Sequence, residues 1–233
     1  MKPGANSQPG FFVVFEGPDG GGKTTQSGRL FAHLEKLNYE VKWTREPGGT
    51  ALADLIREVV LHDTTHEISP RVEALLLSAA RSQHVEEVIR PALEAGCVVV
   101  CDRFKYSTVA YQGGGSGLNV GDLNGLNEFS TDGLDADLVI LLDIDPSEGL
   151  CRKLGLGGAG GSETNKMELR GVEYQERARE QFRQMASESP DRWLVIDGTG
   201  CADEIGDEIS RRVTKELEAR SIVPTSASTG RLI

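Results

Sequence analysis

The stretch from Phe11 to Thr25, FFVVFEGPDGGGKTT, constrains the fold more than any other part of this sequence. Its first five residues are apolar and partly β-branched, which predicts a buried strand. The residues that follow, Gly17 to Thr24, match G-x-x-x-x-G-K-[ST] at every fixed position. Glycines let the backbone N–H groups of such a loop face one centre, and the helix that follows adds its positive end. The pattern therefore predicts a nucleoside-triphosphate site between a strand and a helix.

Individual residues of this loop have separate expected roles. Lys23 should reach the β- and γ-phosphates, and the Thr24 hydroxyl should bind Mg²⁺. A carboxylate beside anions is electrostatically unfavourable, so Asp19 should face magnesium or a substrate hydroxyl. A glycine-rich turn that binds nothing is the alternative, which the strand before the loop and the helical run after it disfavour. The residues predicted to bind the nucleotide are Gly17, Pro18, Asp19, Gly20, Gly21, Gly22, Lys23, Thr24 and Thr25.

Composition limits the remaining possibilities. A chain of 233 residues with 38% hydrophobic and 26% charged residues is typical of one globular α/β domain. The formal net charge of −11 disfavours broad binding to nucleic acid or to anionic membranes. No apolar run reaches bilayer length, and no secretory signal is expected from residues 1–10. The four cysteines lack C-x-x-C spacing, which favours reduced thiols in the cytoplasm over a zinc site.

Strand-like and helix-like patterns alternate along the chain. This alternation predicts an α/β fold in which a parallel sheet is covered by helices on both faces. Residues 1–10 and 222–233 are predicted to be flexible, and the glycine-rich stretch 155–164 to be mobile. The predicted strands are 11–15, 40–44, 97–101, 138–142 and 193–196. The predicted helices are 25–37, 51–61, 71–95, 104–112, 122–130, 146–154, 168–185 and 203–219, with Leu75, Leu76, Ala79 and Ala80 together on one side of the third.

Charged side chains follow several of the predicted strands. Ligands of parallel sheets bind beyond the carboxyl ends of the strands. Arg45 follows the second strand and Arg103 the third, so these arginines and Lys23 are expected to meet in one anion-binding crevice. Asp102 closes the third strand, where it could bind Mg²⁺ through water, cap the helix that begins at Phe104, or do both.

Five segments carry a resemblance to a known family. FEGPDGGGKTTQ, REPGGT, AARSQH, CDRFKYSTVAYQGGG and LLDIDP resemble, in this order and spacing, the thymidylate kinases of the nucleoside-monophosphate kinase group. The resemblance runs from about residue 11 to residue 197. It implies one domain at 11–221 with a three-layer P-loop kinase fold, a five-stranded parallel sheet and a mobile lid at about 152–168. It also implies a homodimer that uses ATP and Mg²⁺ to phosphorylate dTMP to dTDP.

The same resemblance implies roles for single residues. Arg45 and Arg103 should hold the acceptor phosphate, Arg81 should bond the carbonyl edge of thymine, and Tyr111 should press on the sugar and reject a 2′-hydroxyl. Asp19 should approach the 3′-hydroxyl or Mg²⁺. The implied substrate-binding residues are Asp19, Arg45, Leu77, Arg81, Arg103, Ser107, Thr108, Tyr111 and Gln112. The implied catalytic residues are Lys23, Arg103, Arg45, Asp19, Lys166 and Arg152, and the implied metal ligands are Thr24, Asp102 and Asp19.

Three departures from the family pattern stand out. Leu77 replaces a phenylalanine that usually stacks on thymine, so the aromatic contribution is lost. Gly21 replaces the usual alanine or serine. The lid has a longer glycine-rich stretch in place of several arginines, with 165–168 (NKME) where the family has D-R-x-E. Lysine neutralises a phosphoryl group as a point charge, whereas arginine binds it with two donors.

These departures leave alternatives open. A kinase for another monophosphate such as dUMP is the first alternative, because Leu77 weakens the case for thymine. A GTP-binding switch is the second, because NKME resembles the guanine-reading motif N-K-x-D. That motif normally follows a hydrophobic strand, and here it follows a glycine-rich loop. An inactive dimeric scaffold is the third, and the intact Lys23, Arg45 and Arg103 disfavour it.

Overall fold

A parallel sheet of five strands forms the centre of the protein. The computed structural model describes residues 10–63, 65–153 and 170–225. The strands are β1 (Phe11–Glu16), β2 (Val41–Arg45), β3 (Val98–Asp102), β4 (Leu138–Asp143) and β5 (Trp193–Asp197). They pair in the order β2-β3-β1-β4-β5, every pair parallel. The predicted α/β fold with a five-stranded parallel sheet is confirmed. Most of the predicted lid lies outside the described residues.

Helices cover both faces of this sheet. They are α1 (Lys23–Lys36), α2 (Ala51–Arg57), α3 (Pro70–His84), α4 (Arg90–Glu94), α5 (Lys105–Thr108), α6 (Val120–Thr131), α7 (Pro146–Lys153), α8 (Val172–Glu188) and α9 (Ala202–Ala219). The π-helical segments Glu58–His62, Val85–Ile89 and Val109–Gly115 continue α2, α3 and α5. The long helix predicted at 71–95 is therefore three consecutive segments, with a wider turn between α3 and α4. Such π-helical turns frequently occur at functional sites.

The central strand β1 is buried on both faces. Successive side chains of a strand point to opposite faces, so β1 contributes to two cores. Phe12 and Val14 pack in the core that contains Phe182 of α8. Phe11 and Val13 pack in the other core, which α1 and α9 complete. This burial explains why β1 is a continuous apolar run rather than an alternating pattern.

The buried face of α3 differs from the predicted one. Leu75 is 52% exposed, whereas Glu73, Arg81 and His84 are buried. The side predicted to carry Leu75, Leu76, Ala79 and Ala80 is only partly buried, because Leu75 and Ala79 are exposed. The buried face of α3 therefore combines charged and polar groups with the small apolar residues Ala74 and Ala80.

The packed domain extends slightly beyond the predicted limits. Gly10 donates its N–H to the Leu93 carbonyl oxygen at 3.0 Å. Ile222 is buried in the core on the α9 side, and Thr225 donates its N–H to the Asn38 carbonyl oxygen. The predicted tail therefore begins too early, because an apolar residue just past α9 still reaches the core. Within the described residues, no helix combines the length and the apolar character needed to cross a bilayer.

Candidate active site

The loop between β1 and α1 has the backbone shape of a phosphate-binding site. Gly17, Gly20 and Gly22 have positive φ values of 134°, 78° and 86°. Other residues adopt such angles only with strain. Gly20 also lacks room for a side chain, because a Cβ there would lie 2.0 Å from the Gly149 carbonyl oxygen. The loop leads directly into α1, whose first N–H groups have no partners within the helix.

Lys23, the first residue of α1, lies inside the loop. Its side chain is only 7% exposed, and Nζ donates to the Pro18 carbonyl oxygen at 2.7 Å. Burial, with the nearby Arg103 charge, lowers the pKa of Lys23 to about 8. An anion beside Nζ would favour the charged form again. The lysine therefore lies where a polyphosphate would complete its charge balance.

Thr24 and Asp102 provide oxygen atoms next to this lysine. Thr24 Oγ1 donates to Asp102 Oδ2 at 2.5 Å. Mg²⁺ prefers oxygen ligands, and it usually takes one or two protein groups together with substrate phosphates. The residues described here contain no cluster of three or more His, Cys, Asp or Glu that could hold a metal by themselves. A hydroxyl and a carboxylate beside the phosphate loop fit Mg²⁺ bound to a nucleotide.

The buried Glu16 caps the segment that follows β3. Glu16 Oε1 accepts from the N–H groups of Phe104 (2.9 Å) and Ser107 (3.1 Å), and Oε2 accepts from the Ser107 hydroxyl. Of the roles left open for Asp102, the capping position is taken by Glu16 at the end of the adjacent strand. Burial raises the pKa of Glu16 to about 7. Sequence analysis missed Glu16, although a carboxylate that ends a buried strand was a signal.

Arg103 connects the phosphate loop to the opposite wall. Its φ of 69° lies in the left-handed region, which a non-glycine residue rarely adopts. The guanidinium donates to Asp19 Oδ1 at 2.5 Å and to Ser107 Oγ at 3.1 Å, and it lies 5.1 Å from the centre of the Tyr111 ring. Burial raises the pKa of Asp19, but Arg103 and Lys23 outweigh it and hold that pKa below the usual value. In this structure the loop carboxylate therefore binds Arg103.

Arg45 and a further arginine lie beside Arg103. Arg45, at the end of β2, is exposed and lines the same cavity as Arg57 of α2. Arg57 donates to the Pro47 carbonyl oxygen at 2.9 Å. Burial lowers the pKa of Arg57, and the charges of Arg45 and Arg103 lower it further. Sequence analysis missed Arg57, because nothing in the sequence distinguishes it from an ordinary surface arginine on a helix.

Arg81 lies deep in the cavity wall. It is 3% exposed and donates to Glu46 Oε2 (2.8 Å), Asn127 Oδ1 (2.8 Å) and Thr108 Oγ1 (2.9 Å). These partners come from three different segments and fix the plane of the guanidinium. Leu77, one helical turn before Arg81, lines the cavity next to it.

Gln112 has one satisfied and one unsatisfied end. Its Nε2 donates to Glu73 Oε1 at 3.1 Å. Its Oε1 is buried and has no hydrogen-bond partner within the described parts of the chain. A buried acceptor without a partner is unfavourable, so this atom is a candidate ligand-binding group.

The remaining predicted catalytic residues are placed less centrally. Arg152 of α7 donates to the Gly198 carbonyl oxygen at 2.8 Å and to Glu148 Oε1 at 2.7 Å. It lines the cavity beside Lys153. Lys166 lies outside the described residues, as does the rest of the NKME segment.

One cavity of about 560 Å³ brings the described groups together, a volume that suits small-molecule ligands. The residues that line it include Asp19, Gly20, Gly22, Lys23, Thr24, Thr25, Arg45, Arg57, Leu77, Arg81, Asp102, Arg103, Ser107, Thr108, Tyr111, Gln112 and Arg152. The structure thus places Lys23, Arg45 and Arg103 in a single groove, although their roles stay predictions.

A strand–loop–helix phosphate site on a parallel sheet, facing a cluster of arginines, defines the class of P-loop kinases. Within that class, the family model for Thymidylate kinase matches residues 15–209. The chain therefore belongs to the thymidylate kinase family, and the resemblance found in the sequence is confirmed.

Known proteins agree with this assignment. The chain is 43% identical over 205 residues to a thymidylate kinase of Pelobacter propionicus, covering 88% of this chain and 94% of the relative. It is 42% identical over 213 residues to a thymidylate kinase of a Roseiflexus species, covering 88% and 94%. A crystal structure of thymidylate kinase from Ehrlichia chaffeensis superposes with a TM-score of 0.70 at 30% identity, covering 88% of this chain and 99% of that one.

Proposed function

We propose that this chain transfers the γ-phosphoryl group of ATP to dTMP, giving dTDP and ADP. The observation that supports it most is the cavity that joins the phosphate loop to a second cluster of cations and to a buried amide oxygen. Two anionic ligands repel each other, so the protein must supply positive charge from both sides. Lys23 does so from the loop, and Arg45 and Arg103 do so from the opposite wall.

The donor end holds the triphosphate of ATP. The loop N–H groups and Lys23 Nζ bind its phosphate oxygens, and Lys23 gives up its contact with Pro18 to do so. Thr24 and Asp102 would hold Mg²⁺, which when bound neutralises charge on the β- and γ-phosphates. Arg152, which donates to the Gly198 carbonyl oxygen, lines the same cavity.

The acceptor end holds the monophosphate of dTMP. Arg45, Arg57 and Arg103 surround the position where its phosphate oxygens would lie. The attacking atom is a phosphate oxygen that is already ionised at neutral pH, so no strong general base is needed. The contribution of these arginines is to hold the two phosphates in line while the cavity limits access of water.

The base end recognises thymine by its hydrogen-bonding edge. Arg81 donates to a carbonyl oxygen of the base, and Gln112 Oε1 accepts from the ring N3–H group. Leu77 provides apolar contact with the face of the ring. Tyr111 lies beside the sugar, where its OH is 3.3 Å from an Nη atom of Arg103.

A second copy of this chain is the proposed partner. Helices α2 and α3 pack against each other, and each exposes large apolar side chains. Exposed apolar patches of this kind mark interaction surfaces. Sedimentation equilibrium at micromolar concentration should give a dimer, and a monomer mass would contradict it. The exposed residues are Leu52, Leu55, Val72 and Leu75.

The location in the cytoplasm stays a prediction from the cysteine pattern.

A panel of monophosphates tests the function directly. ADP formation from ATP and Mg²⁺ is measured with dTMP, dUMP, dCMP and dGMP. We expect dTMP to give the highest kcat/KM. Preferred turnover of a purine monophosphate would contradict the assignment.

The variant Leu77→Phe tests base recognition on the same panel. An aromatic ring on the base is worth about 0.5–1.5 kcal/mol, so kcat/KM for dTMP should rise roughly twofold to twelvefold. Leu37→Phe, a partly exposed site in the turn after α1, is the control and should leave kcat/KM unchanged. An unchanged kcat/KM for dTMP in Leu77→Phe would place this side chain away from the base.

A further inference from the structure

The Gln112 amide is held in one orientation by groups outside the cavity. We propose that Glu73, ionised beside Arg170, is a positioning residue that sets base specificity by directing Gln112 Oε1 towards the base. This inference rests on the proposed function. It assigns a role to two residues that bind neither substrate.

The orientation follows from the chemistry of the pair. An amide side chain can present either its oxygen or its NH₂ group to a neighbour, whereas an ionised carboxylate only accepts. Glu73 of α3 is 1% exposed, and its Oε1 lies 3.1 Å from Gln112 Nε2. The nitrogen end of Gln112 must therefore face Glu73. The oxygen end is left buried and unpartnered among the described residues.

Arg170 keeps the buried Glu73 in its ionised form. A carboxylate with a side-chain exposure of 2% would take up a proton unless a cation compensated its charge. Arg170 donates to Glu73 Oε2 at 2.7 Å. Ser116 Oγ and Tyr174 OH each lie 3.2 Å from Arg170 Nη1, and the guanidinium carbon is 5.1 Å from the centre of the Tyr174 ring. The arginine is thus itself fixed, which fixes the carboxylate.

A fixed amide oxygen distinguishes between pyrimidine bases. Thymine and uracil carry an N3–H donor between two carbonyl oxygens, and that donor matches Gln112 Oε1. Cytosine has an unprotonated N3 at the same place, so two acceptors would face each other. A neutral Glu73 would offer its own O–H, and Gln112 could then turn and present NH₂ to cytosine. The Glu73–Arg170 pair thereby excludes cytosine.

The first experiment measures specificity in Glu73→Gln. Glutamine can donate or accept, so it no longer fixes Gln112. The ratio of kcat/KM for dTMP to kcat/KM for dCMP should fall by about tenfold or more, partly through faster turnover of dCMP. Glu87→Gln is the matched control, because Glu87 also accepts from a glutamine amide, that of Gln83, on an exposed surface. Its ratio should equal that of the wild type.

A double-mutant cycle separates positioning from general damage. Gln112→Leu removes the amide and should itself lower the ratio. If Glu73 acts through Gln112, adding Glu73→Gln to Gln112→Leu should change the ratio by less than about twofold. An equal fall in both substrates for Glu73→Gln, or a full further effect in the Gln112→Leu background, would overturn the proposal.

Arg170→Gln provides a second route to the same result. Arg170 is 28% exposed in its side chain, so this variant disturbs the core less than a change at Glu73. The ratio of kcat/KM for dTMP to kcat/KM for dCMP should fall in this variant as well. Arg170→Gln therefore tests the positioning role even if Glu73→Gln does not fold. If the wild type fails to phosphorylate dTMP, the proposed function fails. If the wild type prefers dTMP and the Arg170→Gln ratio stays within about twofold of it, only the positioning role is refuted.

Discussion

The two ends of the cavity are built in different ways. The proposed donor end consists of consecutive residues, Gly17 to Thr25, and would bind mainly through backbone N–H groups. The base end takes its side chains from separate segments: Gln112 after α5 is held by Glu73 from α3, and Arg81 is held by Glu46 from the loop after β2. One end depends on backbone geometry that glycines permit. The other depends on buried charges that neutralise each other.

This difference matches the ligands. A triphosphate is common to all donor nucleotides, so a shape made of backbone dipoles is sufficient to bind it. A base must be told apart from similar bases, and that requires donors and acceptors fixed in direction. Buried ion pairs fix direction well, although their net contribution to stability is small. The donor end should therefore be sensitive to loss of charge, and the base end to loss of orientation.

Removing Lys23 should give the largest loss of activity, and the loss should come from the donor end of the cavity alone. Lys23→Ala takes away the cation that the loop directs at the triphosphate, so kcat should fall by about 10²–10³-fold. Stopped-flow or coupled assays at saturating substrates measure it. Lys36→Ala, at the exposed end of the same helix, is the control. A fall in kcat below about fivefold would contradict the assigned role.

Removing Arg103 should weaken the contact between the two ends. Arg103→Ala takes away a cation from the acceptor side and leaves Asp19 without its 2.5 Å partner. The phosphoryl-transfer rate constant at saturating substrates should fall by about tenfold or more. Arg211→Ala on the exposed surface of α9 should have no effect. A rate constant within about twofold of the wild type would refute the role of Arg103.

Moving the loop backbone without touching a charge should have the smallest effect on activity. Gly149→Ala in α7 would place a Cβ 2.1 Å from the Asp19 carbonyl oxygen, so the loop or the helix must shift. Urea unfolding should show a loss of about 1–3 kcal/mol, together with weaker ATP binding. Gly125→Ala in α6 is the control, with nothing within 4 Å of its Cβ. It should stabilise the protein by roughly 0.5–1 kcal/mol, and equal stability of the two variants would contradict the close approach.

The sequence was sufficient where function depends on adjacent residues. The strand Phe11–Glu16, the glycine loop and Lys23 form one continuous signal, and the charged residues Arg45, Asp102 and Arg103 could be placed at one edge of the sheet because each lies at the end of a recognisable strand. The sequence was misleading for α3. Leu75 and the nearby alanines indicate an apolar face, yet the helix buries Glu73 and Arg81 because their partners lie on other segments.

The amino-acid sequence by itself determined the strands of the sheet and the phosphate loop, because hydrophobic periodicity and glycine spacing act over a few neighbouring residues, and its five motif segments carried the resemblance to the family. Only the tertiary structure decided that Glu16 caps the segment after β3, that Arg57 lines the same cavity as Arg45 and Arg103, and that Glu73 pairs with both Gln112 and Arg170. Charges in a chain can pair in many ways. An unpaired buried charge is so unfavourable that each buried charge of the folded protein has a partner. Most of these partners are distant in the sequence, so a local sequence pattern does not predict them.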